Sequence, residues 1–219
     1  MTDSTRTHHD YWDSFYASRE SSSVPEEPSD FARWVAGRLR TGQPVVEFGF
    51  GTGRDSLWFA RQGHTVTGYD FAESAVRKAQ GRADAEEIAA SFTELDLYDT
   101  AVVQVVAKDV AETSPEPALY GRFLIHSLEE AGRANLLGFA RTALGHGGDL
   151  YLEFRTGQDR GSAHVFGDDH FRVYLDPDVV EREIEQSGGT VTHHEQGHGL
   201  AVYKSEDPHV ARIVARWSA

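Results

Sequence analysis

Cysteine is absent from this 219-residue chain, methionine occurs once, and Lys plus Arg number 21 against 35 Asp plus Glu. The missing cysteine removes disulfides, thiolate metal sites and cysteine nucleophiles. The shortage of positive charge leaves a formal net charge of −14, which repels a phosphate backbone, and no basic run offsets it, so a nucleic-acid partner is not expected. No apolar run reaches the roughly 18 residues of a membrane span, and no secretory apolar segment is present. A cytoplasmic protein that acts on a small molecule is the expectation. The sequence also lacks H-E-x-x-H and G-x-S-x-G, and four of its eleven histidines fall in the adjacent pairs His8-His9 and His193-His194. Neither a metal site nor a serine hydrolase is indicated.

What is present suits a globular fold: 39% hydrophobic and 26% charged residues, with 21 Gly and only 7 Pro. The length suits one domain with a full core. Residues 1–10 are polar, without period, and are expected to be loose. Tyr11, Trp12, Phe15 and Tyr16 then recur at helical spacing before a Ser/Pro/Glu linker, so that 1–28 reads as a flexible terminus with a helix. That helix either packs on the core or closes as a lid over a pocket. Residues 29–219 form the main domain. Ser29 or Asp30 caps a first helix, strands are expected at 44–49, 64–70, 86–92, 118–123 and 148–154, and helices alternate with them. The long helix runs from His126 to Leu144. A polar, Gly-rich stretch extends from 155 to about 174, a length that usually marks function. A helix from Asp176 and a closing antiparallel pair, 190–195 and 199–204 joined near Gly197, complete a three-layer α/β domain with a mainly parallel sheet.

Gly49, Gly51 and Gly53 stand after the first strand, where ligands approach the carboxyl edge of such a sheet. A dinucleotide fingerprint starting at Gly49 requires glycine at 54, but Arg54 is there, and no G-K-[ST] follows, so pyrophosphate and triphosphate readings fail. Asp70, ending the second strand, is placed to accept from two ribose hydroxyls. Asp96 is placed to accept from an adenine amine, with Phe71 and Leu97 flanking the ring. An adenosine carrier without diphosphate is the ligand these residues describe.

Glu47-x-Gly49-x-Gly51-x-Gly53, Gly68-Tyr69-Asp70 and Asp96-Leu97 resemble the motifs of the class I S-adenosylmethionine-dependent methyltransferases. Tyr11-Trp12-Asp13, Gly53-Arg54-Asp55, Arg122 to His126 and His170 to Tyr174 are similar to those of a small-molecule group within that class, often found in natural-product or surface-polymer pathways. The resemblance implies a Rossmann-like, seven-stranded sheet with an antiparallel last strand and S-adenosylmethionine as cofactor, leaving S-adenosylhomocysteine as product. It also implies cofactor contacts from Tyr11, Trp12, Tyr16, Glu47, Gly49, Gly51, Gly53, Arg54, Asp70, Phe71, Asp96, Leu97 and Arg122. Arg122 either meets the methionine carboxylate or pairs on the surface with Glu129 or Glu130.

The acceptor side rests on Arg155, Arg172, Tyr16, His170 and Tyr174, with His164 a further candidate. The two arginines either clamp an anion such as a phosphonate, or are neutralised by Glu153 or Asp176. An oxyanion acceptor needs no base. A sugar hydroxyl or amine needs one, and His126 is the candidate, with a purely structural histidine as its alternative. The expected activity is O-methylation of a small anionic intermediate, phosphonate foremost, of the kind antibiotic biosynthesis uses. Methylation of a sugar, carboxylate or amine and a non-enzymatic nucleoside-binding module are the competing readings. Both a monomer and a homodimer are compatible with the sequence.

Overall fold

A computed structural model describes residues 3–18, 24–160 and 172–218, with side chains of the first helix described from residue 9. The order is α1 (Asp3–Ala17), α2 (Asp30–Ala36), β1 (Val45–Phe48), α3 (Arg54–Arg61), β2 (Val66–Asp70), α4 (Glu73–Ala85), β3 (Ala90–Glu94), α5 (Thr100–Thr113), β4 (Ala118–Arg122), α6 (Glu130–Ala143), β5 (Asp149–Arg155), α7 (Pro177–Gln186), β6 (Thr190–Gly197) and β7 (Val210–Arg216). The seven strands form one sheet, ordered β3-β2-β1-β4-β5-β7-β6, in which β1 to β5 are mutually parallel and β7 runs antiparallel between β5 and β6. This is the expected Rossmann-like α/β architecture. No described helix is long and apolar enough to cross a membrane.

Residues alternate between the two faces of each strand. Val46, Phe48, Leu119, Leu150 and Leu152 pack with α5, α6 and α7 on one face. Val45, Ala118, Tyr120 and Tyr151 meet Phe31, Val35 and Phe59 of α2 and α3 on the other. The same period places Glu47, Arg122, Glu153 and Arg212 on that second face, where they form a polar layer inside the protein. Glu153 is fully buried and accepts from Arg122 Nε of β4 and Arg212 Nε of β7, both at 2.8 Å. Asp55 accepts from the Ser29 amide (2.7 Å), the Ser29 hydroxyl (2.7 Å) and the Tyr120 hydroxyl (2.8 Å). That carboxylate joins α2, α3 and β4, while the Ser29 hydroxyl also caps α2 by accepting from the Ala32 amide.

Several expectations are corrected. The first helix begins at Asp3, inside the stretch 1–10 read as loose, because extending an existing helix costs far less than starting one. The third strand starts at Ala90, not 86: residues 86–88 still close α4, with Glu87 at φ 53° and the Ile88 amide bonded to Ala83 O. His126 lies in a separate 3-10 turn, Ile125–Ser127, ahead of α6. The closing pair is β6 with β7, not 190–195 with 199–204. Buried throughout except at Arg216, β7 is an interior strand, whose apolar residues fall on both faces rather than alternating with exposed polar ones, and whose Arg212 joins the buried polar layer. Residues 198–209 instead leave the sheet as an excursion, folded back where Tyr203 and Glu206 exchange backbone hydrogen bonds. Within the long 155–174 stretch, a 3-10 turn covers Gly157–Asp159 and Leu175 bridges to Thr156; residues 161–171, His164 and His170 among them, lie outside the described residues.

Glu153→Ala is expected to cost about 3–5 kcal/mol, because it strands two buried guanidiniums. At ~2–4 °C per kcal/mol for a protein of this size, thermal unfolding should show a fall of roughly 6–20 °C. A change within about 2 °C would mean that the layer tolerates loss of its central carboxylate.

Candidate active site

The carboxyl ends of β1 to β5 open into one cavity of about 540 Å³, within the usual range of small-molecule sites. Its floor is the turn after β1. Gly49, Gly51 and Gly53 adopt φ of 66°, 56° and 73°, a region that disfavours every residue with a Cβ. A Cβ on Gly51 would come within 2.5 Å of the Tyr16 hydroxyl, and one on Gly49 within 2.9 Å of Leu124 Cδ1. Gly53 does not line the cavity. It precedes the first residue of α3 and lets that end pack on Ala79, where a Cβ would meet the Ala79 Cβ at 3.0 Å.

Asp70 and Asp96 line the cavity at the ends of β2 and β3. The Asp70 carboxylate accepts the Gly51 and Ala72 amides, each at 3.0 Å. Burial pushes its pKa up to about 6 against those hydrogen bonds. An ionised carboxylate has about four acceptor sites, so Asp70 retains capacity for a ligand's hydroxyls. Asp96 spends one oxygen on the Tyr98 amide at 2.9 Å. Phe71, Leu97 and Leu95 supply apolar walls beside the two acids.

Toward the centre, Glu47 is buried and accepts from the Ser56 hydroxyl; burial and nearby Asp55 push its pKa up to about 8. Two guanidiniums face the cavity next to it. Burial and the charge of Arg122 lower the pKa of Arg54. Arg122 is held by Glu153, not by the surface acids Glu129 and Glu130. Phe123 separates the two halves of the site: its ring lies 4.2 Å from the Arg122 guanidinium and 5.2 Å from that of Arg155. Its φ of 55° is uncommon outside glycine and puts this ring at the mouth of β4.

Beyond Phe123 stand Arg155, Arg172 and His126. Arg155 is buried and paired on both sides, to Asp159 Oδ2 at 2.6 Å and to Glu206 Oε1, rather than to Glu153 or Asp176. Burial and the charge of Arg155 lower the pKa of Arg172, while Tyr174, its hydrogen-bond partner, and Glu206 support its charge. Tyr174 therefore stands behind Arg172 and is not itself in the cavity wall. His126 Nδ1 accepts the Arg155 amide at 3.3 Å. A neutral imidazole accepting at that nitrogen carries its proton on Nε2 and is a donor there, not a base.

The aromatic helix covers the glycine turn. Trp12, Phe15 and Tyr16 line the cavity, whereas Tyr11 packs edge-on against Trp12 at 5.2 Å and is outside it. The α1 helix is fastened through α4: Asp13 Oδ1 accepts the Ser74 amide at 2.8 Å and the Ser74 hydroxyl donates to Asp13 O at 2.7 Å. Because Ala72, at the cap of α4, provides no side-chain acceptor, Asp13 caps that helix from outside, a contact that lowers its own pKa. Lys78 Nζ also donates to Tyr16 O.

Ala201, Val202, Tyr203 and Glu206 of the β6–β7 excursion form one further wall and Val24, Pro25, Glu27 and Pro28 ahead of α2 another, and neither was anticipated. The polar run Lys204-Ser205-Glu206-Asp207-Pro208 was the available signal, since such residues break a strand rather than continue one. Among the described residues, no three His, Cys, Asp or Glu are grouped to hold a metal.

Residues 45–148 match the family model described as a methyltransferase domain. No curated protein matches the sequence. A solved S-adenosylmethionine-dependent methyltransferase from Anabaena variabilis is similar over 99% of this chain and 96% of its own, at 15% identity and a TM-score of 0.72. A structure described for the conversion of a disulfide bond into a thioacetal group during echinomycin biosynthesis is similar over 96% and 93%, at 17% identity and 0.72. The glycopeptide N-methyltransferase MtfA, complexed with S-adenosyl-L-methionine, covers 90% of each chain at 19% identity and 0.65. Residues 45–148 thus match a methyltransferase-domain model, and the fold is shared with solved S-adenosylmethionine-dependent methyltransferases.

Asp13→Ala should loosen α1 without unfolding the sheet. Loss of a helix cap costs about 0.5–2 kcal/mol, which predicts roughly 2- to 30-fold faster amide exchange across residues 9–18. Unchanged exchange there would show that the aromatic contacts alone fasten the helix.

Proposed function

We propose that the chain is an S-adenosylmethionine-dependent O-methyltransferase whose acceptor is a small anionic molecule, with a phosphonate as the leading class. One observation supports this most directly: the cavity joins a glycine turn and two strand-end aspartates to the buried guanidinium of Arg155 and the half-buried one of Arg172. The front motif Tyr11-Trp12-Asp13 and the Arg122–His126 run also resemble those of the phosphonate O-methyltransferase of dehydrophos biosynthesis.

The residues present fit the cofactor. Asp70 retains acceptor capacity for ribose hydroxyls, and Asp96 faces the apolar slot of Phe71 and Leu97 for an adenine. Arg54 and Arg122, adjacent and mutually repelling, are matched to the methionine carboxylate. When bound, the cofactor supplies a methyl group already activated on a positively charged sulfur. The protein's task is then to align the acceptor oxygen, expel water and leave that oxygen's lone pair unquenched; good alignment contributes roughly 7–11 kcal/mol. Tyr16, Trp12 and Phe15 close the turn from above, while Phe123 shields the boundary between the two ends. An acceptor that is already anionic needs no proton removed, which agrees with His126 presenting a donor.

Transfer of labelled methyl to a panel of phosphonates, matched carboxylates, sugars and amines tests this reading. Turnover on anions only is expected, and turnover confined to alcohols or amines would replace it with base-assisted transfer. Cofactor affinity, measured by calorimetry between pH 5 and 7, is expected to fall towards the acid end as Asp70 takes up a proton near pH 6. Asp70→Asn should weaken it by about 10- to 150-fold, the equivalent of a charged hydrogen bond, and flatten the pH dependence. An affinity level from pH 5 to 7 in the unsubstituted protein would remove Asp70 from the ribose site.

A further inference from the structure

We propose that the acceptor is amphipathic, an anionic head at Arg155 carrying an apolar arm that lies against Ala201 and Val202 of the β6–β7 excursion. The inference rests on the anionic-acceptor reading and names the kind of anion. Among the described residues only Val102, Val105 and Val202 are large apolar side chains left exposed, Val202 by 52%. The first two belong to α5 and line no part of the cavity, whereas Val202 lines it. A single exposed valine is ordinary. Val202 does not stand singly: Val24, Pro25, Phe123 and Ala201 line the same cavity, and Val24, Phe123, Ala201 and Val202 belong to none of the three apolar clusters of the core. Apolar side chains gathered on a cavity wall and not spent on the core mark a surface that a ligand covers.

The same excursion ties this wall to the charge. Tyr203 and Glu206 exchange backbone hydrogen bonds of 2.8 and 2.9 Å, a tight turn that sets the two residues side by side. From that turn Glu206 reaches Arg155 Nη2, so Ala201 and Val202, which lead into it, stand next to the part of the cavity that holds this guanidinium. The Phe123 ring, 5.2 Å from the same guanidinium, carries apolar surface up to the charge. The base of the excursion is fixed by Arg212 Nη2 on Leu200 O at 2.7 Å and by the Gly199 amide on Asp207 Oδ1 at 2.6 Å. The wall therefore exists before the acceptor arrives, and covering it costs little ordering. A bare anion leaves it in water, while an alkyl or acyl arm gains the burial of each methylene laid against it. A polyhydroxylated skeleton, such as a sugar acid, would desolvate hydroxyls there without return.

The test is an equilibrium titration of the full chain, saturated with S-adenosylhomocysteine, using methyl-, propyl- and pentylphosphonate, which share a head and differ only in the arm. Affinity is expected to rise about two- to fourfold per methylene, which makes pentylphosphonate at least roughly tenfold tighter than methylphosphonate. Val202→Ser, at an exposed position where substitution costs the fold little, should cut that preference at least about threefold. Val105→Ser, the same change on α5, should leave it unaltered. Equal binding of the three phosphonates, or tightest binding of the shortest, would overturn the apolar arm and leave the anionic-acceptor reading in place. A preference that Val202→Ser and Val105→Ser leave alike would also overturn the proposal, because the excursion would then not be the wall. If the loaded protein binds none of the three, this inference and the anionic-acceptor reading fall together.

Discussion

The carboxylate of Glu153 is the point on which the site depends. It lies on the central part of β5, with no solvent contact, and accepts one guanidinium from each neighbouring strand. Through Arg122 it fixes a guanidinium in the cavity wall, and its backbone carbonyl accepts the Phe123 amide at 2.8 Å. Through Arg212 it reaches Leu200 O and so the base of the excursion that walls the cavity beside Arg155. Apolar residues replacing Arg122, Glu153 and Arg212 together would serve the core equally well, since buried ion clusters seldom outperform good apolar packing. What the carboxylate provides is a fixed geometry for two arginines that no hydrophobic contact would orient.

Charge elsewhere in the cavity follows a related rule: the described cations of the site have acids near them, and two of the acids are held partly or largely protonated. Glu47, pushed up to about 8, is largely neutral at pH 7, and Asp70, at about 6, is near its titration range. Both groups bind protons more tightly folded than unfolded. Their contribution to stability is therefore present below the ordinary carboxylate range and is lost as pH rises through about 6 and 8. The folded protein accepts that loss at the two places where a nucleoside and a methionine moiety would sit. Stability is surrendered where binding is expected to return it.

Legibility in the sequence followed the physical origin of each feature. The glycine turn was readable because positive φ and close approach leave few alternatives to glycine, and Gly49, Gly51 and Gly53 bear that out. The strand-end acids were readable because a doubly wound sheet puts every ligand at one edge. Asp13 was visible only as part of a motif; its service to Ser74, 61 residues away, depends on how α1 lands on α4. The partners of Arg155 were equally hidden. Glu206 is 51 residues distant and lies in a segment whose alternation from Gly199 to Lys204 imitates a strand. Alternation reports which side chains can share a face, not whether a neighbouring strand supplies the ladder, and β7 took that place with a run buried on both faces that carries Arg212 in the polar layer.

That substitution of strands has a functional consequence. With β7 inserted between β5 and β6, the chain must leave the sheet edge and return to its interior, and the twelve-residue detour, which starts at the carboxyl end of β6, runs beside the cavity at the carboxyl ends of the parallel strands. The topology that closes the sheet thereby delivers a loop to the cavity wall beside Arg155. The shared core of such a fold, the glycine turn and the two aspartates, can stay constant while this loop changes, because it contacts β5 through side chains such as Glu206 and Arg155 rather than through a ladder. Specificity for the acceptor is then separable from affinity for the cofactor, and Phe123, between Arg122 and Arg155, stands at the boundary between the two.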